Sequence, residues 1–263
     1  MKTTAIMNLK GGTAKTVSAI NIGAILSKIY GQRVLLVDAD SQGNLSEFTL
    51  PDPKVLDKTP GTAALLQQQD ANIVKTKMED VWLMVGEPEL MGLDISSASG
   101  GNVDTMAMAD LMNALDETDR FDHCIIDCPP AFSAAAMAAL AAADQVLIPV
   151  KLDAFGIRGL ASLLQQIRNM KRINPDLDVA GVLPTMYYSS PTQKQAEEDL
   201  RSSLRAIGIP CLHHIRRSPS VDGSTFAQSP LVYFSPKSGA CRDYKLAVRE
   251  LLGEGEEAEE DGV

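Results

Sequence analysis

The chain has few aromatic residues and no long apolar run. Phe, Trp and Tyr make up 5% of its 263 residues. Its longest uninterrupted apolar stretch, residues 134–143, is about half as long as a membrane-spanning helix requires. The N-terminus passes from Lys2 directly into an apolar segment, without the features of a signal peptide. We therefore expect a cytoplasmic protein that does not associate with membranes.

Cysteine is also scarce. The four cysteines, Cys124, Cys128, Cys211 and Cys241, are scattered, which argues against a disulfide framework and a zinc site. Cys211 lies close to His213 and His214, but no fourth ligand is nearby in the sequence, so a surface cluster is favoured over a metal site.

Basic residues are fewer than acidic ones, 24 against 34, and they are unevenly distributed. Residues 1–150 have 10 basic and 19 acidic side chains, whereas residues 151–252 have 14 and 9. Residues 253–263 add six acidic side chains and no basic one, which predicts a disordered tail. A basic C-terminal third suggests a phosphate-binding surface, although most such charges are simply solvated.

Residues 9–16 read LKGGTAKT and follow an apolar segment. The ordinary phosphate loop, G-x-x-x-x-G-K-[ST], requires glycine where Leu9 and Ala14 stand, so the string fits the variant K-G-G-x-x-K-[ST]. In this loop glycines let backbone N–H groups close around phosphate oxygens, and the next helix directs its positive end at them.

The loop supplies the predicted nucleotide ligands. Lys15 is predicted to reach the β- and γ-phosphates, and the Thr16 hydroxyl to bind Mg²⁺. Lys10 comes too early to share that task within one subunit, so we expect it to contact a phosphate across a dimer interface. The complete set is Lys10, Gly11, Gly12, Thr13, Ala14, Lys15, Thr16 and Val17.

Two further apolar runs end in aspartate. Residues 33–40 end in Asp38 and Asp40, and residues 123–130 contain Asp127. Parallel strands present such residues at their carboxyl ends, in the ligand crevice. Asp127 is predicted to act on the Mg²⁺ through water, and one of the other two, with Asp40 preferred, to orient the attacking water.

These stretches resemble the ParA/Soj family of DNA-partitioning ATPases, which are relatives of MinD. The matching segments are KGGTAKT at 10–16, VDADSQGNLS at 37–46, CIIDCPP at 124–130 and SPKSGACRDYKLAVREL at 235–251. The resemblance covers residues 1–252 as one ATPase domain.

The resemblance implies an ATP-bound homodimer in which Lys10 of each subunit contacts the phosphates of its partner, and it assigns hydrolysis to Asp40. It further implies binding to non-specific DNA and release when a ParB-like partner stimulates hydrolysis, hence a nucleoid-associated ATP state. It places Thr185 near the adenine and makes Arg216 and Arg217 candidate DNA contacts.

The chain departs from the family pattern at three positions. Ala14 replaces a glycine at a position with positive φ, which costs about 1 kcal/mol. Val17 replaces a hydroxyl residue, and Ser41 stands where proline is usual. These changes leave the binding residues in place and predict slow hydrolysis without a partner.

Alternating strand and helix patterns predict an α/β fold, a single domain with a mostly parallel twisted sheet flanked by helices. Strands are predicted at 3–8, 33–38, 81–85, 123–128, 145–150, 179–183 and 211–215. Helices are predicted at 16–30, 62–69, 103–116, 133–143, 157–173, 192–207 and 240–252, with loops at 51–61 and 86–101.

Two other functions of the same superfamily remain open at this point. An orphan ATPase of this type would position a protein assembly on the nucleoid. An iron–sulfur carrier would need two cysteines able to bridge a cluster between subunits, and Cys124 and Cys128 are the candidates.

Overall fold

The computed structural model describes residues 1–93 and 102–254, except the side chains of Pro53 and Asp57. Its centre is a seven-stranded sheet in the order β3-β4-β2-β5-β1-β6-β7, in which only the β3–β4 pair is antiparallel. The strands are β1 Lys2–Ile6, β2 Val34–Asp38, β3 Ile73–Lys75, β4 Val81–Met84, β5 His123–Asp127, β6 Gln145–Lys151 and β7 Asp178–Thr185. The predicted mostly parallel α/β fold is confirmed.

Helices cover both faces of the sheet. They are α1 Lys15–Tyr30, α2 Asn44–Thr49, α3 Thr62–Leu66, α4 Ala107–Glu117, α5 Ala134–Ala142, α6 Ala154–Met170, α7 Pro191–Arg205, α8 Pro219–Phe226, α9 Leu231–Phe234 and α10 Gly239–Leu251. Two buried apolar clusters, one on each face, form the core. The central strands read as continuous apolar runs because both of their faces are covered.

Several predicted boundaries were wrong. No strand forms at 211–215, where single bridges join Val182 to Cys211 and Tyr187 to Arg216. The ladder along β7 is interrupted because Pro184 has no N–H to donate. The predicted loop 51–61 contains a 3₁₀ helix, Pro53–Lys58, whose first turn is capped by the Asp52 carboxylate. The predicted connection 86–101 extends outside the described residues, and within it residues 90–93 are helical.

The last helix is held against the first by a buried polar contact. Tyr244 of α10 is fully buried, and its hydroxyl lies 3.1 Å from the Ser18 hydroxyl on α1. Burial raises the pKa of Tyr244 to about 12, so the phenol stays neutral. Asn21 of α1 accepts a hydrogen bond from the Leu231 backbone N–H, which anchors α9 to the same helix. The helix that follows the phosphate loop is therefore held by the C-terminal elements.

We predict that Tyr244→Phe lowers the free energy of unfolding by about 1–2 kcal/mol, because it leaves the buried Ser18 hydroxyl without its partner. The measurement is urea denaturation followed by circular dichroism. The control is Tyr188→Phe, which changes an exposed tyrosine. Equal stability of the parent and Tyr244→Phe would contradict the assignment.

Candidate nucleotide site

The phosphate loop joins β1 to α1 at the carboxyl edge of the sheet. Gly12 has φ +70°, and Ala14 adopts the left-handed conformation, with φ 65° and ψ 30°, directly before α1. The positive φ expected at position 14 is present, so this alanine bears the backbone strain that glycine would avoid. A Cβ added at Gly11 or Gly12 would meet no atom within 4 Å, so the concave side of the loop has room for a phosphate.

Lys15 lies at the base of this loop. Its side chain is largely buried, and its Nζ donates to the Lys10 carbonyl at 3.2 Å. Burial lowers the pKa of this ammonium, and the charge of Asp127 opposes the shift. A buried cation held beside an open loop is suited to an anionic ligand.

Asp127 is the most unusual group in the site. It ends β5, is 1% exposed, and neither carboxylate oxygen has a hydrogen-bond partner of good geometry within the described structure. Burial raises its pKa well above the usual value, as does the charge of Asp38, although the nearby Thr16 hydroxyl and Lys15 oppose the shift. An unpartnered buried carboxylate near a hydroxyl fits a hydrated divalent cation, which would supply the missing partners. Thr16 and Asp127 are therefore suited to hold Mg²⁺.

Asp38 and Asp40 occupy different environments. Asp38 lies opposite Asp127 across the β2–β5 pair and is fully buried. Its Oδ2 accepts hydrogen bonds from the Ser46 N–H at 2.9 Å and the Ser46 hydroxyl at 2.7 Å. Burial raises the pKa of Asp38 to about 6. Asp40 is partly exposed and accepts only the Gln42 N–H, at 3.0 Å, among the side-chain contacts described for it.

This difference supports the choice of Asp40 over Asp38 for work on water. Asp38 is committed to the backbone that follows it, since its Oδ1 also accepts the Asp40 N–H at 3.2 Å. Sequence reasoning missed Ser46, which holds Asp38, and the only signal was a serine following the switch segment in the string NLS.

Lys10 is turned toward its own α6 in this single subunit. Its Nζ lies 3.3 Å from Asp153 Oδ1 and 5.1 Å from the centre of the Phe155 ring. Its backbone N–H is fixed by the buried Asn8 side chain at 2.9 Å. The Lys10 ammonium is therefore separate from that of Lys15, as a contact made outside the subunit would require.

The remaining loop residues have mainly structural contacts. Thr13 is buried, and its hydroxyl reaches the Lys10 carbonyl at 3.4 Å. Val17 is half-buried and packs against the core. Thr185 is 1% exposed and donates to the Thr13 carbonyl at 3.1 Å. Its side chain thus supports the loop from below, and the expected adenine contact of Thr185 requires correction.

The two candidate DNA-binding arginines differ. Arg216 donates to Asp243 through Nε and Nη2, both at 2.7 Å, and this carboxylate is buried. Burial alone would raise the pKa of Asp243, but hydrogen bonds from His213 and Arg216 hold it well below its usual value. Arg217 is exposed, with its N–H bonded to the Tyr187 carbonyl at 2.7 Å. Arg216 is therefore a structural ion pair, and DNA contact by Arg217 stays a prediction.

The cysteines and histidines have other partners. Cys124 and Cys128 are completely buried, and burial raises the pKa of both thiols. Such thiols cannot bridge a cluster between subunits without unfolding of the strand that carries them. His214 stacks on Tyr187 with ring centres 3.8 Å apart, and its Nδ1 lies 3.0 Å from Glu197 Oε2.

Comparison with known proteins identifies the relatives of this chain. A family model described as an AAA domain matches residues 1–179. The chromosome partitioning protein ParA of Myxococcus xanthus is 31% identical over 94% of this chain and 86% of its own length. The chromosome-partitioning ATPase Soj of Thermus thermophilus is 30% identical over 97% and 96%.

A solved structure adds ligands to the comparison. Cobyrinic acid a,c-diamide synthase from Mycobacterium smegmatis, with bound ATP analogue and magnesium, is 29% identical, with a TM-score of 0.78 over 96% of this chain and 94% of that one. The nucleotide and ion of the present site are accordingly ATP and Mg²⁺. None of the helices in the described ranges is long and apolar enough to span a bilayer.

We predict that Asp127→Asn raises the free energy of unfolding of the metal-free protein by about 1–2 kcal/mol at pH 7.5, because it removes a buried charge without partners. The same variant should weaken nucleotide binding in the presence of Mg²⁺ and leave it nearly unchanged in EDTA. Urea denaturation and nucleotide titration measure the two effects, with Asp178→Asn, an exposed aspartate, as the control.

The pH dependence has a definite sign. The folded state binds protons on Asp38 and Asp127 more tightly than the unfolded state does, so their contribution to stability falls as pH rises from the ordinary carboxyl range through about 6. The Asp127→Asn variant should lose less stability than the parent between pH 5 and pH 8. A steeper loss in the variant would contradict the raised pKa.

For the arginines, we predict that Arg216→Ala lowers the free energy of unfolding by about 1–3 kcal/mol, since it leaves the buried Asp243 carboxylate short of two donors. Arg217→Ala should leave stability unchanged and is the matched control. Thermal or urea denaturation of both variants decides this, and equal effects would refute the distinction.

Proposed function

Because the chain belongs to the ParA/Soj family of partitioning ATPases, we propose that it is a DNA-partitioning ATPase that dimerises on ATP and binds non-specific DNA. Hydrolysis, stimulated by a ParB-like partner, then releases the dimer from DNA. The observation that carries this proposal is the pairing of two separately held lysines: Lys15 is buried under the loop, and Lys10 is held near the surface on Asp153.

The division of tasks follows from the geometry of the site. Lys15 and the loop backbone bind the phosphates of their own subunit, and Thr16 with Asp127 holds Mg²⁺, which neutralises phosphate charge when bound. Asp40 accepts a hydrogen bond from the attacking water and orients it. Lys10 leaves Asp153 and contacts the phosphates of the second subunit, so the dimer requires the γ-phosphate.

The basic C-terminal third provides the surface for DNA. Its contacts go to phosphates, so affinity falls steeply with salt and shows no sequence preference. Exposed Arg217 belongs to this surface, and Arg216 supports the segment through Asp243.

The direct test is binding to non-specific duplex DNA with ATP, with ADP and without nucleotide, at two salt concentrations. We expect binding with ATP only, weakened strongly by salt. Binding in no state would favour a function away from DNA, such as the small-molecule amidation that the name of the Mycobacterium smegmatis relative implies for that protein.

We predict that Lys10→Ala retains nucleotide binding but weakens the ATP-dependent dimer at least about 30-fold, because truncating one side of a buried charge contact costs about 2 kcal/mol or more. Lys151→Ala is the control, since Lys151 also pairs with Asp153, at 3.5 Å, but lies outside the loop. Analytical ultracentrifugation measures both. Normal dimerisation of Lys10→Ala would refute the cross-subunit role.

A further inference from the structure

A groove of about 670 Å³ opens beside the switch segment, which we define as residues 40–43. Its other walls are the end of the 3₁₀ helix, the start of α3 and residues 86–89 after β4. The volume lies within the range of specific ligand sites. The phosphate loop does not line the groove, so it is distinct from the nucleotide site.

The lining of the groove combines an apolar floor with an acidic rim. Ala63 and Ala64 form part of the floor, whereas Glu47, Glu87 and Glu89 lie around it. Lys58 is the single basic side chain in the described lining. Surplus negative charge repels anions and favours an occupant with several cationic side chains and little bulk between them.

The wall at Glu87 is built from buried charge and backbone donors. The Glu87 carboxylate accepts hydrogen bonds from the Gly61 N–H at 2.7 Å and the Ala63 N–H at 2.6 Å. Burial raises the pKa of Glu87, even though these donors oppose the shift. A cation that enters the groove would therefore be attracted to a carboxylate that is incompletely solvated.

The groove is connected to the switch aspartates through short contacts. Thr62 donates to the Asp38 carbonyl at 2.8 Å, and the Gly86 N–H donates at 2.9 Å to the same Ser46 hydroxyl that holds Asp38. A Cβ on Gly86 would lie 2.8 Å from both Asp38 Cγ and the Asp40 carbonyl. A displacement of the groove wall is thus transmitted directly to the backbone of Asp40.

We propose that this groove is the docking site for a cationic segment of the protein partner, and that the docked segment regulates hydrolysis by moving Asp40 through Ser46 and Gly86. The inference rests on the proposed function and adds the place and the chemistry of the regulation. The occupant is cationic because the rim is acidic, and it is a protein segment because the floor is apolar and the groove is elongated between three chain segments.

The experiment uses an acetylated, amidated hexapeptide of alternating arginine and alanine as the probe. ATP turnover of the full chain with DNA is measured against peptide concentration, for the parent and for the double variant Glu47→Gln, Glu89→Gln. The control is the double variant Glu198→Gln, Asp199→Asn, which removes two exposed acidic charges from α7.

The peptide should increase turnover in the parent and the control alike. In the groove variant the half-stimulating concentration should rise at least about fivefold, with the unstimulated rate unchanged. Equal stimulation of all three proteins, or no stimulation of the parent, would overturn the inference. A hexapeptide of alternating glutamate and alanine should have no effect.

Two readouts separate this inference from the proposed function. If DNA binding depends on ATP but the peptide does not stimulate, the groove inference fails and the function stands. If the groove variant loses the ATP-dependent dimer in ultracentrifugation, the groove is an interface between copies of this chain, and the inference is overturned.

Discussion

The buried carboxylate of Asp127 is the constraint on which the site depends. A charge that is 1% exposed and has no hydrogen-bond partner is unfavourable in the metal-free protein, and the facing Asp38 increases the cost. Binding of Mg²⁺ and phosphate supplies the missing positive charge and donors. The energy stored in this arrangement favours the nucleotide-bound state, and the parallel pairing of β2 and β5 keeps the two carboxylates in register.

The second consequence is a division of labour among three aspartates. Asp127 is oriented toward the ion, Asp38 is fixed by Ser46, and Asp40 remains partly exposed at the start of the switch segment. Because Asp38 hydrogen-bonds both Ser46 and the Asp40 N–H, the ion site, the switch and the groove wall at Gly86 are parts of one connected network. A partner that binds in the groove can therefore influence hydrolysis without touching the nucleotide.

The sequence predicted the elements with strong local signals. The strand–loop–helix around residues 10–16 and the strand-end aspartates were identified because glycine, lysine and aspartate have few other uses at such positions. The strand predicted at 211–215 failed because β7 contains Pro184, and Arg201 donates to the carbonyls of Cys211 and Leu212 at 2.6 and 3.0 Å. The short elements β3, α2, α8 and α9 depend on tertiary contacts and carry weak periodicity. The Asp243 partner of Arg216 lies 27 residues away, beyond any local pattern.

The central claim is that ATP, through Mg²⁺ at Asp127 and Lys10 across the interface, converts this chain from monomer to dimer. The most direct measurement is sedimentation of the parent protein with a slowly hydrolysed ATP analogue, with ADP and with neither, each with Mg²⁺ and with EDTA. The account predicts a species of twice the 28.2 kDa chain mass only with the ATP analogue and Mg²⁺ together. A monomer under every condition, or a dimer independent of nucleotide, would contradict it.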